Sequence, residues 1–140
     1  MGIRQLSVFV ENKKGSLHEI TDVLARAGID LRSMCVADTS DYGIVRMITS
    51  DPERAVRELR EAGHTANIRE ITAFSVPDES GGLAKVLNLL EENEVNIEYL
   101  YALITSAVGQ AYTLLRTDDT ERAEQILRDN GIALLTEDQL

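Results

Sequence analysis

Apolar positions along this chain switch between two periods, and the switching itself repeats. Residues 3–10 end in Leu6, Val8 and Val10 at every second position, the spacing of a strand. Leu17, Ile20, Leu24 and Ala27 then fall at helical spacing and make one apolar stripe, with Gly28 placed to stop the helix. Ser16 and Glu19 have the spacing of a capping box at its start. Residues 29–37 read as a second strand. The polar segment Asp38-Thr39-Ser40-Asp41-Tyr42-Gly43 turns it back into a third, 44–49. Ser50-Asp51-Pro52 opens a second helix, which carries Ala55, Val56, Leu59 and Ala62 and is closed by Gly63. Residues 65–70 give a shorter, more polar fourth strand. The order is β-α-β-β-α-β.

The same order then recurs. At a constant offset Leu17 meets Leu83, Val8 meets Phe74, Ile20 meets Val86, Leu24 meets Leu90 and Gly43 meets Gly109. Ile29-Asp30-Leu31 falls on Val95-Asn96-Ile97. A small insertion near 117–120 shifts the end of the second copy, where Glu53-Arg54-Ala55 meets Glu121-Arg122-Ala123 and Gly63 meets Gly131. The expected fold is α+β: two ferredoxin-like β-α-β-β-α-β units, residues 1–70 and 71–140, each an antiparallel sheet with its helices on one face. Units this short bury a low fraction of their surface. No linker-like stretch separates them, so they are expected to pack side by side.

Each copy carries the same turn between its first strand and first helix. Asn12-Lys13-Lys14-Gly15-Ser16-Leu17 and Asp78-Glu79-Ser80-Gly81-Gly82-Leu83 both place an Asx residue three before a glycine and a leucine two after it. Asx side chains bond back onto such turns, and glycine lets the backbone approach a docked group closely. The free N–H groups of the helix that follows favour an anion. Plain turn and cap chemistry explains either copy alone; the duplication in register is what points to a ligand.

Composition narrows the ligand. With 14 basic and 24 acidic side chains the formal net charge is −10, which repels nucleic-acid backbones and anionic membranes. The split topology is shared with RNA-binding sheets, but 4% aromatic residues give no stacking platform. No apolar run approaches the ~18 residues that span a bilayer, and the N-terminus has no signal-peptide core. Cys35 is alone, so no internal disulfide forms and a cytoplasmic setting is expected. No catalytic set or metal-ligand spacing stands out, so neither enzymatic activity nor a cofactor is expected.

In their order and duplication these features resemble the ACT domain, a small ferredoxin-like regulatory module. The matching features are the two (Asp/Asn)-x-x-Gly-x-Leu turns, the segments Gly-Ile-Asp-Leu (28–31) and Glu-Val-Asn-Ile (94–97), Gly-Ile-Val-Arg (43–46) and the acid-led second helix. Many members have proline just before the turn glycine, where Lys14 and Ser80 stand here. The resemblance implies binding of a small ligand, usually an amino acid, between two side-by-side copies. Residue by residue it implies one site pairing the turn with Asn12, Lys14, Gly15, Ser16 and Leu17 with Asn96. A pseudo-symmetric site pairs the turn with Asp78, Gly81, Gly82 and Leu83 with Asp30. Backbone N–H groups suit the carboxylate of an amino acid, and the two Asn amides suit either end. The Asp78/Asp30 pair suits an ammonium or a cationic side chain, so the Asn12/Asn96 site is favoured for a neutral amino acid.

Other residues take simpler readings. Asp30 and Asn96 also fit strand starts after a helix stop. Tyr99 and Tyr101 share a sheet face, His18 is a solvated residue past the turn, His64 follows a helix-ending glycine, and Cys35 is a small hydrophobe within a strand. The leading function is an amino-acid-binding regulatory protein whose ligand state a partner, such as a metabolic enzyme, would read. The alternative is a ligand-independent interaction subunit of such an enzyme. Unpaired sheet edges also allow a homodimer.

Overall fold

The computed structural model describes residues 2–38 and 40–140, apart from the side chain of Asp38; Met1 and Thr39 of the readings above lie outside the described residues. The elements in order are β1 (Ile3–Glu11), α1 (Ser16–Arg26), β2 (Leu31–Asp38), β3 (Tyr42–Thr49), α2 (Pro52–Glu61), β4 (Ala66–Pro77), α3 (Gly82–Glu92), β5 (Ile97–Ala102), β6 (Gln110–Thr117), α4 (Thr120–Asp129) and β7 (Ala133–Leu134). The chain divides into two compact units. One is Arg4–Glu70; the other is Ile71–Leu140 with Gly2 and Ile3. The division falls within β4, where the exposed residues 67–70 give way to the buried run Ile71, Thr72, Ala73 and Phe74.

In the first unit β1 pairs antiparallel with β3, Val8 facing Val45, and β3 pairs antiparallel with β2. Phe9 N–H donates to Thr65 O at 3.0 Å, just before β4 begins. Alternation on β1 sends Leu6, Val8 and Val10 to one face, where they meet Ile20 and Leu24 of α1 and Ala55, Val56 and Leu59 of α2. Both helices therefore cover one face of the sheet.

The second unit repeats the plan. The latter half of β4 pairs with β6 and with the two-residue β7, and β5 pairs with β6, all antiparallel. Phe74 and Val76 meet Val86 and Leu90 of α3 and Ala123 and Leu127 of α4. Among the described residues the protein thus has two βαββαβ units with four α-helices, as its periodicities predict, and a short 3-10 turn at Glu137–Gln139.

Local chemistry fixes the helix starts. Asp51 and Asp119 cap α2 and α4, each accepting the N–H three residues on, Arg54 and Arg122, at 3.1 Å. The first helix of each unit starts differently, and here the capping-box reading of Ser16 and Glu19 is corrected. Gly15 holds the cap position in the left-handed region at φ 86°, Ser16 is already helical, and no side chain caps α1. Ser16 and Glu19 N–H groups close the turn with backbone bonds, and glycine at the cap position has no side chain to accept from the N–H groups between them.

Candidate functional site

The two glycine turns match bond for bond. In the first, Lys13 N–H donates to Glu11 O, Ser16 N–H to Lys13 O and Glu19 N–H to Gly15 O. In the second, Glu79 N–H donates to Pro77 O, Gly82 N–H to Glu79 O and Lys85 N–H to Gly81 O. Gly15 and Gly81 share a left-handed conformation at φ 86° and 83°. Each turn uses the first and fourth N–H groups of the helix. The two between them, on Leu17 and His18 or on Leu83 and Ala84, are the ones a helix start presents outward.

Asn12 does not fold back onto its own turn. Its backbone N–H donates to Asp41 O at 2.9 Å, and its amide donates to Ser40 O at 3.3 Å, so it ties the turn to the β2–β3 connection. Asp78 makes the corresponding backbone bond, to Gly109 O at 2.9 Å.

Asp30 and Asn96 are exposed and begin the chain's return after α1 and α3. Each is clamped by a reciprocal pair of bonds. Asp30 N–H donates to Ser50 Oγ while Ser50 N–H donates to Asp30 O; Asn96 N–H donates to Asp118 Oδ1 while Asp118 N–H donates to Asn96 O. The Asp30 carboxylate lies 3.6 Å from Arg32 Nε. Within each unit the turn and this Asx residue sit at opposite ends of an 11-residue helix, about 16 Å long at 1.5 Å per residue. One amino acid cannot touch both ends of one unit.

The first unit also holds a cleft of about 260 Å³ that the sequence does not announce. Its walls are Phe9, Val10 and Glu11 at the end of β1, Lys13 and Ser16 of the turn, Glu19 of α1, Tyr42 of β3, and Gly63, His64 and Thr65 before β4. Of the residues singled out as ligand contacts, Ser16 lines it. Lys13 rather than Lys14 faces it, and Asn12, Gly15, Leu17 and Asp30 are not in its walls. Glu11 and Lys13 form an exposed ion pair at 3.4 Å. His64 Nε2 is buried, has no hydrogen-bond partner among the described residues, and lies 3.8 Å from Glu19 Oε1. The rings of Phe9 and Tyr42 stand 5.3 Å apart, each half exposed.

In the second unit a shallow hollow runs along Leu87, Glu91 and Glu94 to Ile97 and includes Asn96. Asp78, Gly81, Gly82 and Leu83 line neither hollow. Gly82 has a steric reason of its own, because a Cβ there would lie 2.5 Å from Pro77 O. Tyr101 is buried, and its ring stacks with that of Tyr99 at 6.5 Å. Cys35 is half-buried and His18 is exposed. Among the described residues no cluster of three metal-ligating side chains occurs, and no helix is long and apolar enough to cross a membrane.

The fold and site define a duplicated βαββαβ protein with a matched glycine turn before the first helix of each unit. The model of the ACT domain pair matches residues 1–140, and the chain belongs to that family. Among solved structures it is similar to protein BT0572 from Bacteroides thetaiotaomicron, with 36% identity over 99% of this chain and 95% of that one and a TM-score of 0.92. The fold also resembles the regulatory subunit of aspartate kinase from Thermus thermophilus in its ligand-free form, at 14% identity, 94% coverage of both chains and a TM-score of 0.67. The corresponding subunit from Thermus flavus is 19% identical over 91% of this chain and 90% of that one, with a TM-score of 0.65. No curated protein matches.

Proposed function

We propose that this protein is an amino-acid sensor: it binds a free amino acid at its glycine turns and presents the ligand state to a partner enzyme. The observation that carries the reading is the identity of the two turns, bond for bond, with outward N–H groups at the same helix positions in both. Membership of the ACT domain pair family points the same way. In this reading the Asn12–Leu17 turn is completed by Asn96, and the Asp78–Leu83 turn by Asp30. The separation of turn and Asx residue along each helix supports the pairing of different copies. The Asn12/Asn96 set takes a neutral amino acid, while the Asp78/Asp30 set suits a cationic one.

Thermal unfolding against the twenty amino acids at millimolar concentration tests this, with Asn12→Ala and Asn96→Ala beside the wild type. A ligand at 100 times its dissociation constant adds roughly 2.7 kcal/mol, a shift of a few degrees at this size. The expected outcome is stabilisation by one chemical class of amino acid, lost in both variants. Stabilisation by a basic amino acid that survives both substitutions would move the site to Asp78 and Asp30. No shift with any amino acid would leave the ligand-independent interaction subunit.

A further inference from the structure

We infer that the cleft of the first unit holds the ligand, and that the ligand is an amino acid with an aromatic or large apolar side chain, its ammonium taken by Glu19. The inference rests on the sensor reading, names the ligand's class and three sets of contacts, and replaces the Asn12/Asn96 contacts with cleft walls that include Ser16 but neither of those residues.

The cleft is built for opposite charges at close quarters. Lys13 and Ser16 of the turn line it together with Glu11 and Glu19, and Lys13 lies 3.4 Å from the Glu11 carboxylate. One cation and a helix start, set against two carboxylates, match a zwitterion better than a dianion or a dication. The carboxylate of the ligand falls to Lys13 and the Ser16 hydroxyl, whose residues line the cleft. The ammonium falls to Glu19, whose side chain is 62% exposed and free to turn into the cleft. The volume of about 260 Å³ is below the ~300–1,000 Å³ of sites for drug-sized ligands and suits a single amino acid. The half-exposed rings of Phe9 and Tyr42 supply the apolar wall for its side chain.

His64 is a positioning residue in this arrangement. Its buried Nε2 sits 3.8 Å from Glu19 Oε1, beyond hydrogen-bond range. A small rotation of Glu19 closes that gap, satisfies the buried nitrogen and fixes the carboxylate for the ligand.

The second unit supplies a built-in contrast. It keeps the same turn backbone but replaces the chemistry. Phe9 corresponds to Ser75, Lys13 to Glu79, Ser16 to Gly82, Glu19 to Lys85 and His64 to Ile132. The aromatic-lined zwitterion cleft belongs to the first copy.

The test is calorimetric titration of L-phenylalanine, L-leucine, L-lysine, L-glutamate and 3-phenyllactate into the full chain. Phenyllactate replaces the ammonium of phenylalanine with a hydroxyl, so the ratio of the two affinities reads the ammonium contact alone. The wild type should bind phenylalanine most tightly and phenyllactate about ten-fold or more weakly, the usual scale of a charged hydrogen bond. In Glu19→Gln the two ligands should bind nearly equally. His64→Leu should shrink the ratio and His64→Gln, which keeps an N–H donor, should restore part of it. Phe9→Ala should lose the preference for phenylalanine over leucine, and Lys85→Gln should change nothing. A wild-type ratio retained in Glu19→Gln, or tighter binding of lysine or glutamate, would overturn the cleft assignment. If phenylalanine binding survives in Glu19→Gln and is lost in Asn96→Ala, the sensor reading stands without this cleft. If no amino acid binds the wild type, both fall together.

Discussion

Glu94 holds a left-handed φ of 59° at the position where the first copy has Gly28 at 69°. The left-handed region costs a residue with a Cβ about 1 kcal/mol or more, so Glu94→Gly should stabilise the protein by about that amount, read as a rise of a few degrees in Tm. Gly82 is the reverse case. It is helical, but a Cβ would meet Pro77 O at 2.5 Å, so Gly82→Ala should cost roughly 1–3 kcal/mol in denaturant unfolding through overpacking. Glu124 is a buried carboxylate where the first copy has Val56. It accepts from Thr72 Oγ1 at 3.0 Å and from Arg128 Nη2 at 3.2 Å. Thr72→Val leaves one carboxylate oxygen without that donor and should lower stability by about 1–3 kcal/mol.

At the scale of elements, helix starts divide into two kinds, and mutation should separate them. Asp51→Ala and Asp119→Ala each remove a side-chain cap and should cost about 1 kcal/mol in thermal or urea unfolding. Ser16→Ala removes no cap, since Gly15 occupies that position, and should leave stability near its wild-type value. The order of elements was legible because each helix and strand carries its own period, as in Leu6, Val8 and Val10 or Ile20 and Leu24. Asp51 was legible within the helix-opening segment Ser50-Asp51-Pro52 because its cap acts within three residues, whereas Asp119 fell in the insertion near 117–120 and was not read as a cap. The start of α1 was misread because Ser16 and Glu19 match a capping box in spacing while the backbone of Gly15 decides the geometry. The cleft was not legible at all. Phe9, Glu19, Tyr42 and His64 come from separate parts of the first copy, and no local spacing ties a histidine after Gly63 to a glutamate on α1. The signal that could have pointed to it is the mismatch between copies: Glu19 against Lys85 and His64 against Ile132, within a repeat that otherwise keeps its pattern.

For the whole molecule, duplication keeps a scaffold while letting the two copies diverge in chemistry. Turn bonds, core positions and the clamps on Asp30 and Asn96 recur, whereas the polar lining of the first cleft does not. A net charge of −10 sets the long-range field against polyanions, so a ligand with a carboxylate must be won by local donors at a helix start. A zwitterion meets that condition because its ammonium offsets the repulsion. Sensing then requires only that the ligand bind one state of the protein better than another. Equilibrium dialysis of the full chain against an equimolar mixture of the twenty amino acids tests the central claim most directly, with the protein compartment analysed by mass spectrometry. Enrichment of amino acids with aromatic or large apolar side chains over charged ones is the result this account predicts. Equal concentrations of all twenty on both sides of the membrane would contradict it.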